Sequence, residues 1–163
     1  MREPTLNSLI AEDAGATRHF GRQLARGLAQ VESAFVIALE GELGAGKTTL
    51  VSGLMHGLGL ASHVRSPTYT LIEPYELAGR IIYHLDLYRL IDPSEVEPLG
   101  LRDLLDPEAV LLIEWPEKGE GALPPIDLAI RLAYEGERRR IAWQLHSEAA
   151  VLVMQAALSS AKP

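Results

Sequence analysis

Residues 41–49 read Gly-Glu-Leu-Gly-Ala-Gly-Lys-Thr-Thr, and this stretch constrains the fold more than any other part of the chain. It satisfies the pattern G-x-x-x-x-G-K-[ST], the phosphate-binding P-loop. Glycines let the backbone curl so that its N–H groups point at a phosphate with no Cβ in the way. Lys47 supplies a positive charge for the β- and γ-phosphates, and the Thr48 hydroxyl suits a magnesium ion. The stretch therefore predicts a site for nucleotide phosphates.

The segments on either side of this loop provide the context that so short a pattern needs. Residues 35–39, Phe-Val-Ile-Ala-Leu, form an apolar run typical of a buried parallel strand. Downstream, Leu50, Leu54 and Leu58 recur every four residues on one helical face, and a glycine expected at the helix C-terminus follows them. This order of strand, loop and helix favours a P-loop over the alternative, a glycine-rich turn between two ordinary elements.

The residues expected to contact the nucleotide extend beyond the loop. Residues 63–70 form a polar stretch broken by Pro67, which favours a loop leading into a strand. Such a loop can order around a γ-phosphate, although a plain surface loop is the alternative. Thr68 and Thr70 flank Tyr69, so one face of the emerging strand would carry hydroxyls toward the nucleotide. The predicted nucleotide-contacting residues are Gly41, Glu42, Leu43, Gly44, Ala45, Gly46, Lys47, Thr48, Thr49 and Thr68.

Two carboxylates follow apolar runs and are candidates for the chemistry of the site. Asp86 ends the run at 81–86, as a Walker B-type acid does, although an Asp that caps a turn is the alternative. Glu114 ends the run at 110–114 and is a second candidate for holding magnesium, directly or through water. Ligands of open α/β sheets bind at the carboxyl ends of the strands, where both acids are expected. Trp115 would either stack beside the site or simply pack there.

Composition excludes several other classes of protein. The chain has 163 residues, enough for a single domain spanning 1–163, with 47% hydrophobic and 23% charged residues, as in ordinary globular proteins. Its net charge of −7 disfavours a broad grip on nucleic-acid backbone. Zero cysteines exclude disulfides and thiolate metal sites. Without a signal-peptide pattern or an apolar run of about 20 residues, we expect a soluble, cytoplasmic protein that does not bind membranes.

The remaining patterns predict the layout around this centre. The fold class expected is α/β, a P-loop NTPase-like, mostly parallel sheet flanked by helices, with antiparallel hairpin additions. Arginines on the first helix and the cluster at 138–140 would form solvated surfaces, with partner docking as the alternative. The apolar last helix either packs on the core or binds a partner. The expected elements are an edge strand at 4–10, a helix from Asp13, hairpins at 71–88 and 126–145, a helical segment from Asp92 and a final helix at 147–160.

Four blocks taken together resemble one known family, TsaE. They are residues 41–49, Ser-Pro-Thr-Tyr-Thr at 66–70, His-Leu-Asp-Leu-Tyr-Arg at 84–89 and Ile-Glu-Trp-Pro at 113–116. The resemblance spans roughly the middle half of the chain and is far more specific than the P-loop alone. It implies an ATPase that acts with the TsaB–TsaD complex, which places threonylcarbamoyl on adenosine 37 of tRNA. The implied cofactors are ATP and Mg²⁺, and tRNA would be reached indirectly through that complex.

The resemblance also implies roles for individual residues. Lys47, Thr48 and Thr49 would hold the phosphates and magnesium. Asp86 would be the Walker B-like residue needed for hydrolysis, and Glu114 a magnesium ligand. The block at 66–70 would behave as a switch-like loop.

Departures from the family pattern are mild. Glu42 stands where Asp is common, and Leu85 where Phe is common. Neither change removes a group that the implied chemistry needs.

Three alternatives to a partner-dependent ATPase remain open on the sequence. A small-molecule kinase usually carries an arginine-rich lid, whereas the tight arginine cluster here, 138–140, falls at an expected hairpin tip. A GTPase is weaker still, because the chain has no Asn-Lys-x-Asp motif. A non-hydrolysing scaffold that senses nucleotide would use the same loop for binding alone.

Overall fold

The computed structural model describes residues 7–65, 67 and 70–159. Within them the chain forms seven strands and four α-helices, together with two 3₁₀ segments, Pro93–Leu99 and Pro116–Gly119. The helices and strands are β1 Asn7–Ala11, α1 Ala14–Leu28, β2 Phe35–Glu40, α2 Lys47–Gly57, β3 Ile72–Leu77, β4 Arg80–Asp86, α3 Leu101–Leu104, β5 Val110–Glu114, β6 Leu128–Glu135, β7 Arg138–Leu145 and α4 Glu148–Leu158.

All seven strands belong to one sheet with the order β1-β7-β6-β2-β5-β4-β3. The four central strands, β6, β2, β5 and β4, run parallel to one another. Antiparallel partners extend the sheet at both sides: the β6–β7 hairpin and β1 at one, and β3 at the other. The predicted α/β class with a parallel centre and hairpin additions is confirmed, and β1 is the expected edge strand.

Helices α1, α2 and α4 cover one face of this sheet. Their inward side chains and those of β2, β5 and β6 form one apolar cluster. A second cluster on the other face lies under the 3₁₀ segments and α3, and it includes Leu85, Leu111 and Ile113. The buried strands β2 and β5 therefore contribute apolar side chains to both faces, which explains their unbroken hydrophobic runs.

Helices α1 and α2 approach each other closely through two glycines. A Cβ on Gly21 would lie 2.3 Å from the carbonyl oxygen of Leu50, and one on Gly53 would lie 2.1 Å from that of Arg18. Both distances are too short for any Cβ, so only glycine permits this packing. Since α2 begins at the end of the P-loop, this contact fixes the direction of the α2 axis relative to the loop.

Local signals explain most helix boundaries. Asp13 accepts a hydrogen bond from the Ala16 amide at 2.8 Å and begins α1, as its position predicted. The helical segment expected from Asp92 begins with a capping box between Asp92 and Glu95, and it is a 3₁₀ helix. Pro98 within it has no N–H to donate, and Gly100 then adopts a left-handed conformation that separates it from α3.

The apolar last helix packs on the core. Ser147 caps α4 by accepting from the Ala150 amide, and α4 lies against α1, where a Cβ on Gly27 would lie 2.2 Å from the Val153 carbonyl oxygen. Arg26, on the exposed side of α1, donates to backbone carbonyls at the end of α4. The described residues include no helix that has the length and apolar character needed to cross a membrane.

Candidate phosphate-binding site

The predicted P-loop connects the end of β2 to the start of α2, at the carboxyl edge of the parallel strands. Gly41 and Gly46 have φ values of +151° and +108°, a backbone region that favours glycine. A Cβ on Gly41 would also lie 2.6 Å from the Leu132 carbonyl oxygen of β6. The loop therefore needs glycine both for its conformation and for its contact with the neighbouring strand.

The Lys47 side chain is buried and folds back onto the loop. Its Nζ donates to the carbonyl oxygens of Gly41 and Glu42, the second at 3.0 Å, and lies 4.3 Å from the centre of the Trp115 ring. Burial lowers the pKa of Lys47, and the nearby carboxylates of Glu114, Glu117 and Asp86 partly oppose that shift. The ammonium is thus held beside the loop by carbonyl oxygens and an aromatic face.

Glu114 links the P-loop helix to the centre of the sheet. Its carboxylate is 3% exposed and accepts a hydrogen bond from the Thr48 hydroxyl at 3.2 Å. On its other side it lies 2.6 Å from Nε2 of His84, which is completely buried in β4. Glu114 is therefore a buried acid with partners from two different elements. A buried carboxylate needs such partners to offset the cost of its desolvation.

Asp86 lies directly opposite Glu114 on the adjacent parallel strand. It is half-buried and accepts a hydrogen bond from the Tyr88 amide at 3.0 Å. Burial raises the pKa of Asp86, the nearby Glu114 raises it further, and the Tyr88 hydrogen bond opposes the shift. Asp86 thus caps the turn after its strand and also lines the cavity described next, and its Walker B-type role stays a prediction.

One cavity of about 340 Å³ brings these groups together. It brings together Lys47, the hydroxyl of Thr48 and both carboxylates. The predicted contacts Gly41, Glu42 and Ala45 do not line it. Trp115 and Tyr88 form an aromatic wall, with ring centres 5.0 Å apart. The lining residues are Leu43, Gly44, Gly46, Lys47, Thr48, Thr49, Asp86, Tyr88, Glu114 and Trp115.

A second, smaller cavity of about 160 Å³ adjoins the other flank of the P-loop. It is bounded by Asp13 and Thr17 of the α1 region and by Arg139 of the β6–β7 hairpin. The Arg139 guanidinium lies 4.1 Å from the centre of the Tyr134 ring, and the Tyr134 hydroxyl donates to the Leu43 carbonyl at 3.0 Å. Arg138 and Arg140 are exposed on the hairpin, as expected for a solvated surface, while Arg139 contacts the loop indirectly through Tyr134.

Part of the predicted site lies outside the described residues. The structure does not describe Ser66, Thr68 and Tyr69 of the expected switch-like loop, so the predicted Thr68 contact stays a prediction. Thr70 is described and exposed, and its hydroxyl donates to Glu73 at 3.0 Å.

His84 is a site residue that the sequence reasoning missed. The signal was available in β4, where His84 and Asp86 are two residues apart and so share one face of the strand. Its partner, Glu114, is distant in sequence, and the residue pattern alone does not predict that contact.

The donor set around the cavity fits a hard divalent cation. Thr48, Asp86 and Glu114 offer hydroxyl and carboxylate oxygens, the ligand type that Mg²⁺ prefers. Among residues 7–65, 67 and 70–159, no three His, Asp or Glu side chains cluster as a metal site.

A central parallel sheet with a glycine loop between β2 and α2, and carboxylates on the adjoining strands, places the chain in the P-loop class of α/β proteins. A family model described as "Threonylcarbamoyl adenosine biosynthesis protein TsaE" matches residues 11–142. The chain belongs to the TsaE family, as its four sequence blocks predicted.

Individual relatives agree with this assignment. A protein from Haemophilus influenzae named "tRNA threonylcarbamoyladenosine biosynthesis protein TsaE" is 48% identical over 139 residues, covering 84% of this chain and 87% of the relative. A protein of the same name from Bacillus subtilis is 39% identical over 120 residues, covering 71% and 75%. The crystal structure of YdiB from Bacillus subtilis matches with a TM-score of 0.77 at 25% identity, covering 96% of this chain and 97% of that one.

Proposed function

We propose that this protein is a magnesium-dependent ATPase required for threonylcarbamoylation of adenosine 37 in tRNA, and that it works with the TsaB–TsaD complex. The observation that carries the ATPase proposal is the convergence of Lys47, Asp86 and Glu114 on one cavity beside the P-loop. The pathway follows from family membership and from the names of the relatives. The same pathway leads us to propose the cytoplasm as its location.

Phosphate binding rests on three sources of positive potential. The loop between β2 and α2 offers backbone N–H groups, and the N-terminus of α2 adds the positive end of its dipole. Lys47 adds a full charge. In the complex, its Nζ would exchange the carbonyl oxygens of Gly41 and Glu42 for phosphate oxygens. Because the ammonium already lies beside the loop, this exchange needs only a local movement of a flexible side chain.

The metal would be held by Thr48 and by Glu114, directly or through water. Their side chains are within hydrogen-bond distance of each other, and both residues line the cavity. A bound Mg²⁺ supplies charge neutralisation for the phosphoryl oxygens during transfer. Glu114 and Thr48 would fix its position relative to the loop, and the loop would fix the phosphates relative to both.

Asp86 would act on the attacking water. It lies opposite Glu114 across the β4–β5 pair and is more accessible than Glu114, so it can reach a water that approaches the phosphate. Its raised pKa reflects a carboxylate partly removed from solvent, which makes it a better hydrogen-bond acceptor than a fully solvated acid. The expected role is to orient the water and accept its proton.

The geometry favours slow turnover by the isolated chain. No arginine is among the described residues that line the cavity around Lys47, so the described part of the site lacks a guanidinium for the transition state. Such a group supplied by a partner is worth about 10³ to 10⁵ in rate in other phosphoryl-transfer proteins. We therefore propose that the TsaB–TsaD complex completes or orders the site.

The contacts of the arginine cluster weaken the kinase alternative. Arg139 packs on Tyr134, and Arg140 pairs with Glu135 of the same hairpin at 2.7 Å. Arg138 reaches Glu12, 3.5 Å away. These contacts hold the cluster on the side of the loop away from Asp86 and Glu114, where it does not resemble a lid over the phosphates.

Two experiments test the proposal against the alternatives. ATP turnover is measured for the purified protein with Mg²⁺ or with EDTA, in the presence and absence of TsaB–TsaD. A metabolite panel tests phosphoryl transfer at the same time. We expect Mg²⁺-dependent phosphate release, stimulated by the partner complex and lost in Lys47→Ala. Phosphoryl transfer to a metabolite would favour the kinase instead, and tRNA modification with nucleotide binding but no hydrolysis would favour the sensing scaffold.

A further inference from the structure

His84 is a buried polar residue in a part of the sheet where packing requires an apolar one. It lies in β4 with 0% exposure, between the buried positions Ile82 and Leu85, and its partner across the β4–β5 pair is Leu112. A leucine or phenylalanine would fill such a place without burying polar ring atoms. The imidazole at this position therefore calls for an explanation beyond core packing.

Within the described part of the chain the imidazole makes one hydrogen bond, to Glu114. Its Nε2 lies 2.6 Å from Oε2 of Glu114. A carboxylate can only accept, so the proton belongs to Nε2 and the histidine donates. The other ring nitrogen, Nδ1, is buried and has no hydrogen-bond partner among the described residues. The bond to Glu114 is therefore the polar contact that the structure shows for this ring.

This hydrogen bond determines which way the Glu114 carboxylate faces. One oxygen, Oε2, is held from inside the sheet by His84, while the Thr48 hydroxyl lies 3.2 Å from Oε1 on the cavity side. The side chain is thereby fixed between the core and the P-loop helix. Without the imidazole, the Glu114 carboxylate would keep only the Thr48 partner and would be free to turn toward the Lys47 ammonium, with which it already interacts electrostatically.

We propose that His84 is a positioning residue that holds Glu114 in the orientation required to bind the cation accompanying the nucleotide phosphates. The inference rests on the proposed function, because it assigns Glu114 to that cation. His84 itself touches neither phosphate nor metal, and its effect is transmitted entirely through Glu114. Residues that orient a metal ligand in this way are typically worth about 10- to 100-fold in metal affinity.

The test measures how much Mg²⁺ strengthens nucleotide binding. Dissociation constants for ADP are determined by titration calorimetry with MgCl₂ and again with EDTA, and their ratio is the magnesium gain. His84→Leu keeps a similar side-chain volume but removes the donor to Glu114. In this variant we expect the magnesium gain to fall by about tenfold, with binding in EDTA unchanged. In His84→Gln, whose amide can still donate to Glu114, we expect most of the gain to remain.

Two further variants separate positioning from general damage. Ile82→Val alters a buried residue on the same strand and the same face, and should lower the melting temperature while leaving the magnesium gain unchanged. In a Glu114→Gln background, His84→Leu should cause no further loss of the gain, because both changes remove the same interaction. Should His84→Leu fail to fold, His84→Met, which also cannot donate to Glu114, carries the same test in both backgrounds.

Several outcomes would overturn the inference. One is an unchanged magnesium gain in folded His84→Leu, and another is an equal loss of binding with MgCl₂ and EDTA, which would indicate a merely structural residue. A full additional loss in the Glu114→Gln background would show that His84 does not act through Glu114. An absent magnesium gain in the wild type would instead contradict the proposed function, and the inference with it.

Discussion

Asp86 and Glu114 are register partners at the carboxyl ends of the adjacent parallel strands β4 and β5. Although they are neighbours, their surroundings differ. Glu114 is buried between His84 and the Thr48 hydroxyl, whereas Asp86 is half-buried and accepts from the Tyr88 amide. Two acids in such different environments are suited to different tasks. We propose that Glu114 holds the cation and that Asp86 acts on the attacking water, a division that mutations can test.

Asp86→Asn should separate chemistry from binding. The amide cannot accept a proton from the attacking water, so we expect the rate of ATP hydrolysis to fall by about 100-fold or more, with little change in the affinity for Mg²⁺–nucleotide. The rate is measured as phosphate release and the affinity by calorimetry. Asp103→Asn, which changes an exposed acid outside the cavity, is the matched control and should leave both unchanged. A large loss of affinity in Asp86→Asn would place Asp86 among the metal-binding groups instead.

Lys47→Ala should weaken nucleotide binding. A hydrogen bond to a charged group contributes about 1.5–3 kcal/mol, so we expect the dissociation constant for ATP to rise by roughly 10- to 100-fold. Lys118→Ala removes the same charge from a residue outside the cavity and should bind normally. Equal affinities for Lys47→Ala and wild type would mean that the ammonium stays on the carbonyl oxygens of the loop when nucleotide binds.

The raised pKa of Asp86 predicts a pH-dependent cost to stability in the protein without nucleotide. The folded state favours the protonated carboxyl, so the cost is absent at a pH below the ordinary Asp pKa of about 3.9. Between the unfolded pKa and the raised folded pKa of Asp86, the carboxyl ionises in the unfolded state but stays protonated in the folded one. The free energy of unfolding therefore falls over this range and is constant above it. Asp86→Asn should therefore raise the melting temperature at pH 7 in EDTA, and the difference should vanish in acid. A lower melting temperature for Asp86→Asn than for wild type at pH 7 would show that the ionised Asp86 stabilises the folded state, contrary to this prediction.

Gly53→Ala should destabilise the fold by disturbing the contact between α1 and α2. The added Cβ would meet the Arg18 carbonyl oxygen at 2.1 Å, so the helices must separate, and overpacking of this kind costs about 1–3 kcal/mol or more. The free energy of unfolding is measured in urea. Gly15→Ala, also in a helix, places its Cβ nearest a side-chain oxygen at 3.2 Å and is the control. If Gly53→Ala were as stable as wild type, the helices would not approach as closely as described.

Much of this architecture could be predicted because its causes are local. The Asp13 cap, the glycine loop and the alternation of the β6–β7 hairpin each follow from residues that are close in sequence. The His84–Glu114 hydrogen bond could not be predicted in this way, because strand pairing brings together residues from separate runs. The left-handed backbone of Trp115, with φ of +58°, is likewise a consequence of the turn after β5 rather than of any motif.

Arg80 illustrates the same limit. It has no role in the sequence patterns, yet its guanidinium donates to the carbonyl oxygens of Leu28, Val31, Ser33 and Glu108. These groups belong to the end of α1, the loop after it and the approach to β5. These hydrogen bonds join segments that are distant in sequence, so they depend on the tertiary structure and cannot be predicted from a local residue pattern.

The rate of ATP hydrolysis in the presence of TsaB–TsaD decides whether this protein is a partner-dependent ATPase. Wild type and Lys47→Ala are assayed with MgCl₂ and ATP, together with threonylcarbamoylation of tRNA in the same reaction. We expect the partner complex to stimulate hydrolysis by wild type, and Lys47→Ala to lose both hydrolysis and tRNA modification. Full tRNA modification by Lys47→Ala, or by wild type without any ATP hydrolysis attributable to it, would contradict the proposed ATPase function.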